Sequence, residues 1–360
     1  MNLHAAGAYV LHLLKSRGTA GHGLHSPFMF SFVTEVIGGR RDSHICDEIE
    51  NLRHEMMAER RRVRVHDLGA GSAVIRGEER SVRQIASAAA LPARNAALLA
   101  RIAGNLDHIL SRDAGQEGGM SGDSDTILLR DTGQPGGKSC DADPVLSRDA
   151  GQEAGMNGDA DPVLSRDAGQ EGRMRGDADP EITADASPGR QGAEPIPENR
   201  QGKPVILELG TSLGISTLAL ALGAPHRRVI TVEGCPELAA IARDNLQRHG
   251  AINTEVICGE FSDALSLLRK RDTKIGMAFI DGNHRGPALA GYVKKIREMG
   301  DEMIIVADDI RLNREMIRAW ELLTADTTAA LNATASLETF RFGILFFLPN
   351  LTPGRYRIRY

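Results

Sequence analysis

The sequence predicts an α/β protein: a doubly wound, mostly parallel sheet with an antiparallel edge, preceded by a mainly helical segment and a low-complexity insertion. Three observations predict it. Apolar runs and amphipathic stretches alternate through residues 204–360. Residues 107–203 are dominated by Gly- and Asp-rich tandem units. Residues 1–106 carry helical periodicity.

The N-terminal region offers helix candidates at Leu3–Lys15, Phe28–Ile37, Cys46–Arg60, Arg80–Ala89 and Pro92–Leu106. Proline near the first turn suits the start of the last of these. The stretch Val63-Arg-Val-His-Asp67-Leu-Gly69-Ala-Gly71-Ser looks like a ligand loop. No good helix and no acid-ended strand follow it, so it reads as a structural turn.

Residues 111–182 repeat with a period of 18. Ser111-Arg-Asp-Ala-Gly-Gln-Glu recurs at Leu129, Ser147 and Ser165, and an Asp-x-Asp pair recurs in each unit. Residues 107–200 contain no Phe, Trp or Tyr and hold 20 acidic against 9 basic residues. Such a segment buries too little apolar surface to offset its ordering entropy, and disorder is expected. The Asp-x-Asp pairs could supply oxygen ligands to calcium, but the units do not reproduce a calcium-binding nonapeptide.

In residues 204–360 the predicted strands are Val205–Leu209, Arg228–Val232, Glu255–Cys258, Gly276–Ile280 and Met303–Ala307. Helices are expected at Ser216–Leu222, Pro236–His249, Ser262–Arg269, Pro287–Met299 and Arg314–Thr324. The first strands are almost wholly apolar, as in parallel sheets covered on both faces. Ala333–Glu338 and Phe340–Leu348 then predict an antiparallel pair at one sheet edge.

Bulk properties exclude several classes. The net charge of −5 hides an acidic insertion, and the remainder is mildly basic. It has no basic run with interleaved aromatics, so a nucleic-acid partner is not indicated. Four cysteines (Cys46, Cys140, Cys235, Cys258) form no Cys-x-x-Cys pair and read as reduced thiols. The Tyr9, Val10, Leu13, Leu14 stripe is too short for a signal peptide or membrane span. A soluble, cytoplasmic protein is expected.

Ligands of doubly wound sheets collect beyond the carboxyl ends of the strands. The run Val205-Ile-Leu-Glu208-Leu-Gly210-Thr-Ser212-Leu-Gly214-Ile-Ser-Thr217 is a strand, a glycine turn and a helix start. Glu208 would repel a pyrophosphate there but favour a cationic cofactor such as S-adenosylmethionine. Glu233 ends the second strand, where an acid can meet ribose hydroxyls. After the third strand, Glu260 and Phe261 could flank an adenine. After the fourth and fifth come Asp281-Gly-Asn-His284-Arg285 and Asp308-Asp309. Asp281, Asp308 and Asp309 offer enough oxygen for Mg²⁺ with waters, or else contact cofactor and substrate or cap helices. His284 could take a proton from a substrate hydroxyl, or only bond nearby backbone.

Residues 204–326 resemble a class I S-adenosylmethionine-dependent methyltransferase, with a Rossmann-like sheet. Glu208–Thr217 matches its first motif and Val232-Glu233-Gly its second. Phe279-Ile-Asp281-Gly-Asn-His284-Arg and Val306-Ala-Asp308-Asp309-Ile resemble strand ends of small-molecule O-methyltransferases such as catechol O-methyltransferase. The resemblance implies metal ligands at Asp281, Asp308 and Asp309, with an Asp where that family has Asn. His284 falls where it has a catalytic lysine. His22-Gly-Leu-His25-Ser-Pro-Phe28, Asp67–Ser72 and Phe342–Phe347 are similar to a methyltransferase group found in Bacteroidetes. There the N-terminal helices run almost directly into the first strand, so residues 107–200 look like an insertion. The implied function is methylation of a small molecule, on oxygen, with S-adenosylmethionine and Mg²⁺ as the implied cofactors. A nicotinamide oxidoreductase is disfavoured, because Thr211-Ser-Leu-Gly214 breaks its Gly-x-Gly-x-x-Gly pattern. A non-catalytic scaffold that keeps the cofactor fold is the other alternative.

Overall fold

The computed structural model describes residue 9 and residues 12–65, 79–89, 91–111, 202–325 and 333–360. The repeat units, the Asp67–Ser72 turn and the first part of the Leu3–Lys15 helix lie outside the described residues.

The sheet has eight strands: β3 (Val205–Leu209), β4 (Val229–Glu233), β5 (Thr254–Cys258), β6 (Ile275–Ile280), β7 (Met303–Ala307), β8 (Ala335–Glu338), β9 (Gly343–Phe347) and β10 (Gly354–Arg357). Their spatial order is β10-β8-β9-β7-β6-β3-β4-β5. All neighbours are parallel except that β9 runs antiparallel to β7 and β8. The chain leaves central β3 toward β4 and β5, then returns to β6 on its other side. That reversal opens a crevice at the carboxyl ends of β3, β4 and β6, the usual place for a ligand.

Two layers of helices cover the sheet. One holds α8 (Phe261–Lys270), α9 (Gly286–Arg297) and α10 (Arg314–Leu323), packed on Leu207, Leu209, Ile280 and Ile305. The other holds α6 (Ile215–Gly223) and α7 (Pro236–Arg248), backed by the N-terminal helices α2 (Ser43–Ala58) and α4 (Ala93–Gly104). Before α2 come the short α1 (Pro27–Ser31) and a wide π-turn, Phe32–Ile37, closed by Gly38 N–H on the Val33 carbonyl. A hairpin of β1 (Arg62–Arg64) and β2 (Glu79–Ser81) leads into α3 (Val82–Ala89). The Arg80–Ala89 helix therefore starts two residues late, because Glu79–Ser81 pairs as a strand.

Residues 1–106 thus supply part of the second helical layer. The reason is steric as well as hydrophobic. α4 lies so close on α6 that a Cβ at Gly223 would stand 2.3 Å from the Ala100 carbonyl oxygen, and one at Gly104 2.8 Å from that of Gly223. Small residues let the backbones approach. Polar ties hold the neighbouring helices. Asn245 Nδ2 donates to the Leu213 carbonyl at 2.8 Å, and Arg248 Nη1 meets Glu55 Oε2 at 2.5 Å.

One difference from the sequence reading follows from pairing rather than propensity. The antiparallel β8–β9 pair is not the sheet edge, because Gly354–Arg357 adds β10 in parallel outside β8. This polar run has little strand character, and it is held by backbone pairing and the Arg357–Glu338 ion pair. Its free edge is in turn covered at Arg17, whose N–H donates to the Arg357 carbonyl at 2.8 Å. Among the described residues, no helix is long and apolar enough to cross a membrane.

Order also extends past residue 106. Helix α5 (Leu106–Ser111) buries Leu106 and Ile109. Asp107 pairs with Lys203 at 3.0 Å and with Arg227. The two ends of the 112–201 segment are therefore tied together beside the sheet. A loop whose ends already meet needs little of its own interior to close. A chain with residues 112–201 replaced by a short Gly/Ser linker should melt cooperatively within a few degrees of the full chain. Loss of the cooperative transition in a calorimetric scan would show that the segment packs on the domain.

His12 yields a second test. Its Nε2 lies 3.2 Å from the Ile358 carbonyl, while buried Nδ1 has no partner among the described residues. Protonation would leave Nδ1–H a buried donor with no acceptor among the described residues, and burial, with the nearby Arg311 guanidinium, lowers the imidazole to about 4 from 6.5. The unfolded chain binds this proton first, so the stabilisation is complete above about pH 6.5 and fades as pH falls toward 4. The shift corresponds to at most about 3 kcal/mol. Urea unfolding at pH 7.5 and pH 4.5 should show a smaller pH-dependent loss in His12→Gln, which cannot titrate, than in wild type.

Candidate functional site

The crevice is built on the turn after β3. Gly210 has φ +108°, and a Cβ there would stand 2.4 Å from the Asp281 carbonyl oxygen. Gly214 (φ +85°) caps α6, so both predicted glycines occupy backbone that other residues strain to adopt. Ser212 shares the left-handed region at φ +49°.

Glu208 lies under this turn with its side chain wholly buried. Its Oε2 accepts from Thr231 Oγ1 at 2.6 Å and from Thr217 Oγ1. Thr211 Oγ1 extends the chain to Thr231 Oγ1 at 2.6 Å. Burial pushes the carboxyl up, opposed by hydrogen bonds from Ser216, Thr217 and Thr231. Its Oε1 is buried without a partner among the described residues.

Glu233, at the end of β4, accepts from Ser212 N–H at 2.8 Å and from Cys235 N–H at 2.9 Å. The acid thus joins the glycine turn to the turn before α7. The β1 hairpin borders the same place: Cys235 Sγ donates to the Arg64 carbonyl. Glu260 stands exposed at the N-terminus of α8, and Phe261 packs edge-on against Tyr292 with centroids 5.6 Å apart. The Phe261 ring also lies against Gly282, just after Asp281. The residues after β3, β4, β5 and β6 therefore lie along the carboxyl edge of the parallel strands.

The β6 and β7 ends hold the densest charge. Burial pushes Asp281 well above the usual carboxylate range, and the neighbouring Asp308 pushes it further. Asp309 is raised by burial and by Asp308. His284 Nε2 lies 3.8 Å from Asp281 Oδ1, with 26% of its side chain exposed. Asn283 donates to the Tyr292 hydroxyl at 3.0 Å, and its buried Oδ1 has no partner among the described residues.

Sequence reasoning missed Arg341. It stands between β8 and β9 and forks onto Asp308, Nε to Oδ1 at 2.6 Å and Nη2 to Oδ2 at 2.5 Å. The β7–β9 register, Ala307 opposite Gly343, carries Arg341 alongside Asp309. Nothing short of that register connects residues 308 and 341. The arrangement lends the Mg²⁺ expectation no support. Asp281, Asp308 and Asp309 do gather, but both Asp308 oxygens are taken by the guanidinium, and Oδ1 also accepts Asp309 N–H at 2.7 Å. Among the described residues, no group of three His, Cys, Asp or Glu side chains is arranged to hold a metal ion.

S-adenosylmethionine fits the residues better. Two glycines in left-handed backbone allow close approach at the turn. Glu208 Oε1 and Asn283 Oδ1 are acceptors left over beside it, and acids outnumber cations around a ligand whose methionine end is cationic.

Part of the chain is similar to known proteins. Residues 207–310 match the family described as a methyltransferase domain. A catechol O-methyltransferase of Mycobacterium tuberculosis is 38% identical over 29% of this chain and 47% of its own length. A protein-L-isoaspartate O-methyltransferase of Magnetococcus marinus is 35% identical over 31% and 45%. The chain spans about half the length of these curated relatives. The solved O-methyltransferase from Bacillus cereus in complex with SAH is 24% identical, covers 41% of this chain and 76% of that one, and has a TM-score of 0.32. Residues 207–310 are thus similar to a methyltransferase domain, and the curated relatives they resemble are O-methyltransferases.

Gly210→Ala tests the turn. A Cβ at this φ costs roughly 1–3 kcal/mol in backbone strain alone, before the contact with Asp281. The variant should bind S-adenosylhomocysteine at least about tenfold more weakly by calorimetry. Unchanged affinity would show that the close approach is not needed.

Proposed function

We propose that the protein is an S-adenosylmethionine-dependent methyltransferase that methylates an oxygen of a small molecule. One observation carries the cofactor: a buried carboxylate, Glu208, directly beneath a glycine turn at the switch point of the sheet. A dinucleotide would bring its pyrophosphate to this turn, against the charge of Glu208 and Glu233. A cationic methionine end meets that charge favourably. The oxygen acceptor follows the likeness to O-methyltransferases, and the small acceptor follows the catechol O-methyltransferase.

When bound, S-adenosylmethionine supplies an electrophilic methyl group. The chain's own part is alignment, because in-line displacement depends on holding donor and acceptor close. Gly210, Ser212 and Gly214 shape the turn, Glu208 charges it from below, and Glu233 accepts from the ribose hydroxyls. Glu260 and Phe261 border the adenine. Asp281 faces the cationic end, and His284 beside it accepts the acceptor hydroxyl's proton. The cytosol suits Cys46, Cys235 and Cys258, which form no disulfide among the described residues.

Glu233→Ala should weaken S-adenosylmethionine binding by roughly 1.5–3 kcal/mol, the worth of a hydrogen bond to a charged acceptor. Calorimetric titration reads this directly, with a nicotinamide dinucleotide as the control ligand. Equal affinity in wild type and Glu233→Ala, or saturable binding of the dinucleotide alone, would overturn the reading.

A further inference from the structure

The acidic cluster at the ends of β6 and β7 already contains its cation. Asp308 is fully buried, and its two oxygens receive the parallel fork of Arg341. Arg341 Nε also lies 3.4 Å from Asp309 Oδ1. A planar guanidinium matches a carboxylate through two parallel bonds, and it binds in fixed orientation where an ammonium would not.

The hairpin tip that delivers the guanidinium is itself pinned. Ile310 N–H donates to the Arg341 carbonyl at 3.2 Å, and Phe342 N–H donates to Thr339 Oγ1 at 2.8 Å. Arg311 Nη1 donates to the Thr339 carbonyl at 2.8 Å. Arg341 therefore reaches the acids from a braced turn, with 28% of its side chain exposed.

A divalent cation needs the same carboxylate oxygens and cannot share Asp308 with a bidentate guanidinium. Three acids packed this closely also need a positive partner to stay charged. We propose that Arg341 is the resident cation of this site, standing where the resemblance to small-molecule O-methyltransferases implies a divalent metal, so that the chain works without one. The inference rests on the methyltransferase reading for the meaning of the site.

The test is Mn²⁺ titration of the full-length protein, read by electron paramagnetic resonance, with S-adenosylhomocysteine present and its binding measured separately by calorimetry. Wild type should show no saturable Mn²⁺ binding into the millimolar range. Arg341→Ala frees the Asp308 oxygens and should gain one site, lost again in the Arg341→Ala, Asp281→Asn double variant. Arg341→Gln, closer in shape, should gain the site too and serves if Arg341→Ala does not fold. Stoichiometric Mn²⁺ binding by wild type that Asp309→Asn abolishes would overturn the proposal. So would a folded Arg341→Ala or Arg341→Gln protein that binds S-adenosylhomocysteine but no Mn²⁺. If neither variant folds, the wild-type titration with Asp309→Asn decides. Failure to bind S-adenosylhomocysteine would count against the methyltransferase reading instead.

Discussion

The carboxylate of Glu208, buried between β3 and the first turn of α6, is the constraint on which the rest of the site depends. A charged group in that position must be hydrogen-bonded. Thr217 and Thr231 meet the need and so tie the first helix and the second strand to the first strand. The glycine turn is stretched over this tie. Gly210 crosses the Asp281 carbonyl at a distance only a residue without Cβ allows, so the ends of β3 and β6 are set against each other. Glu233 then holds the same turn from the β4 side through Ser212 N–H. Three strand ends become one rigid rim.

The second helical layer makes that rim possible. α6 must stay still for its N-terminus to present the turn, and its outer face is covered by α4 at nearly backbone contact. The N-terminal residues are thus structural partners of the cofactor helix as well as a separate segment of the sequence. The tie of Asp107 to Lys203 and Arg227 closes this layer onto the sheet, and it leaves the repeat-bearing stretch to begin and end at neighbouring points on the surface.

Charge is distributed unevenly around the crevice. Glu208 and Glu233 stand on one side of the switch point, Glu208 bonded by Thr217 and Thr231 and Glu233 by the Ser212 and Cys235 N–H groups. Asp281, Asp308 and Asp309 stand on the other with Arg341 forked onto Asp308. The first arrangement favours a cationic ligand end. The second is nearly self-compensated at Asp308, while Asp281, next to His284, is pushed toward its neutral form by burial and by Asp308. One crevice thereby offers two electrostatic environments, one for a donor and one for an acceptor.

By itself, the sequence determined the strands and helices of residues 204–325, because period-2 and period-3.6 apolar patterns are local properties of the chain. It also determined which strand ends carry acids, since strand order along the chain places Glu208, Glu233, Asp281 and Asp308 at carboxyl ends whatever the packing. Only the tertiary structure decided what those acids do. The pairing of Arg341 with Asp308 spans the β7–β9 ladder, whose register of backbone bonds no residue pattern announces. The parallel strand β10 and the docking of α4 on α6 were likewise invisible. Both arise from long-range pairing and close backbone approach, and such contacts between distant segments leave no periodic trace in the residues that make them.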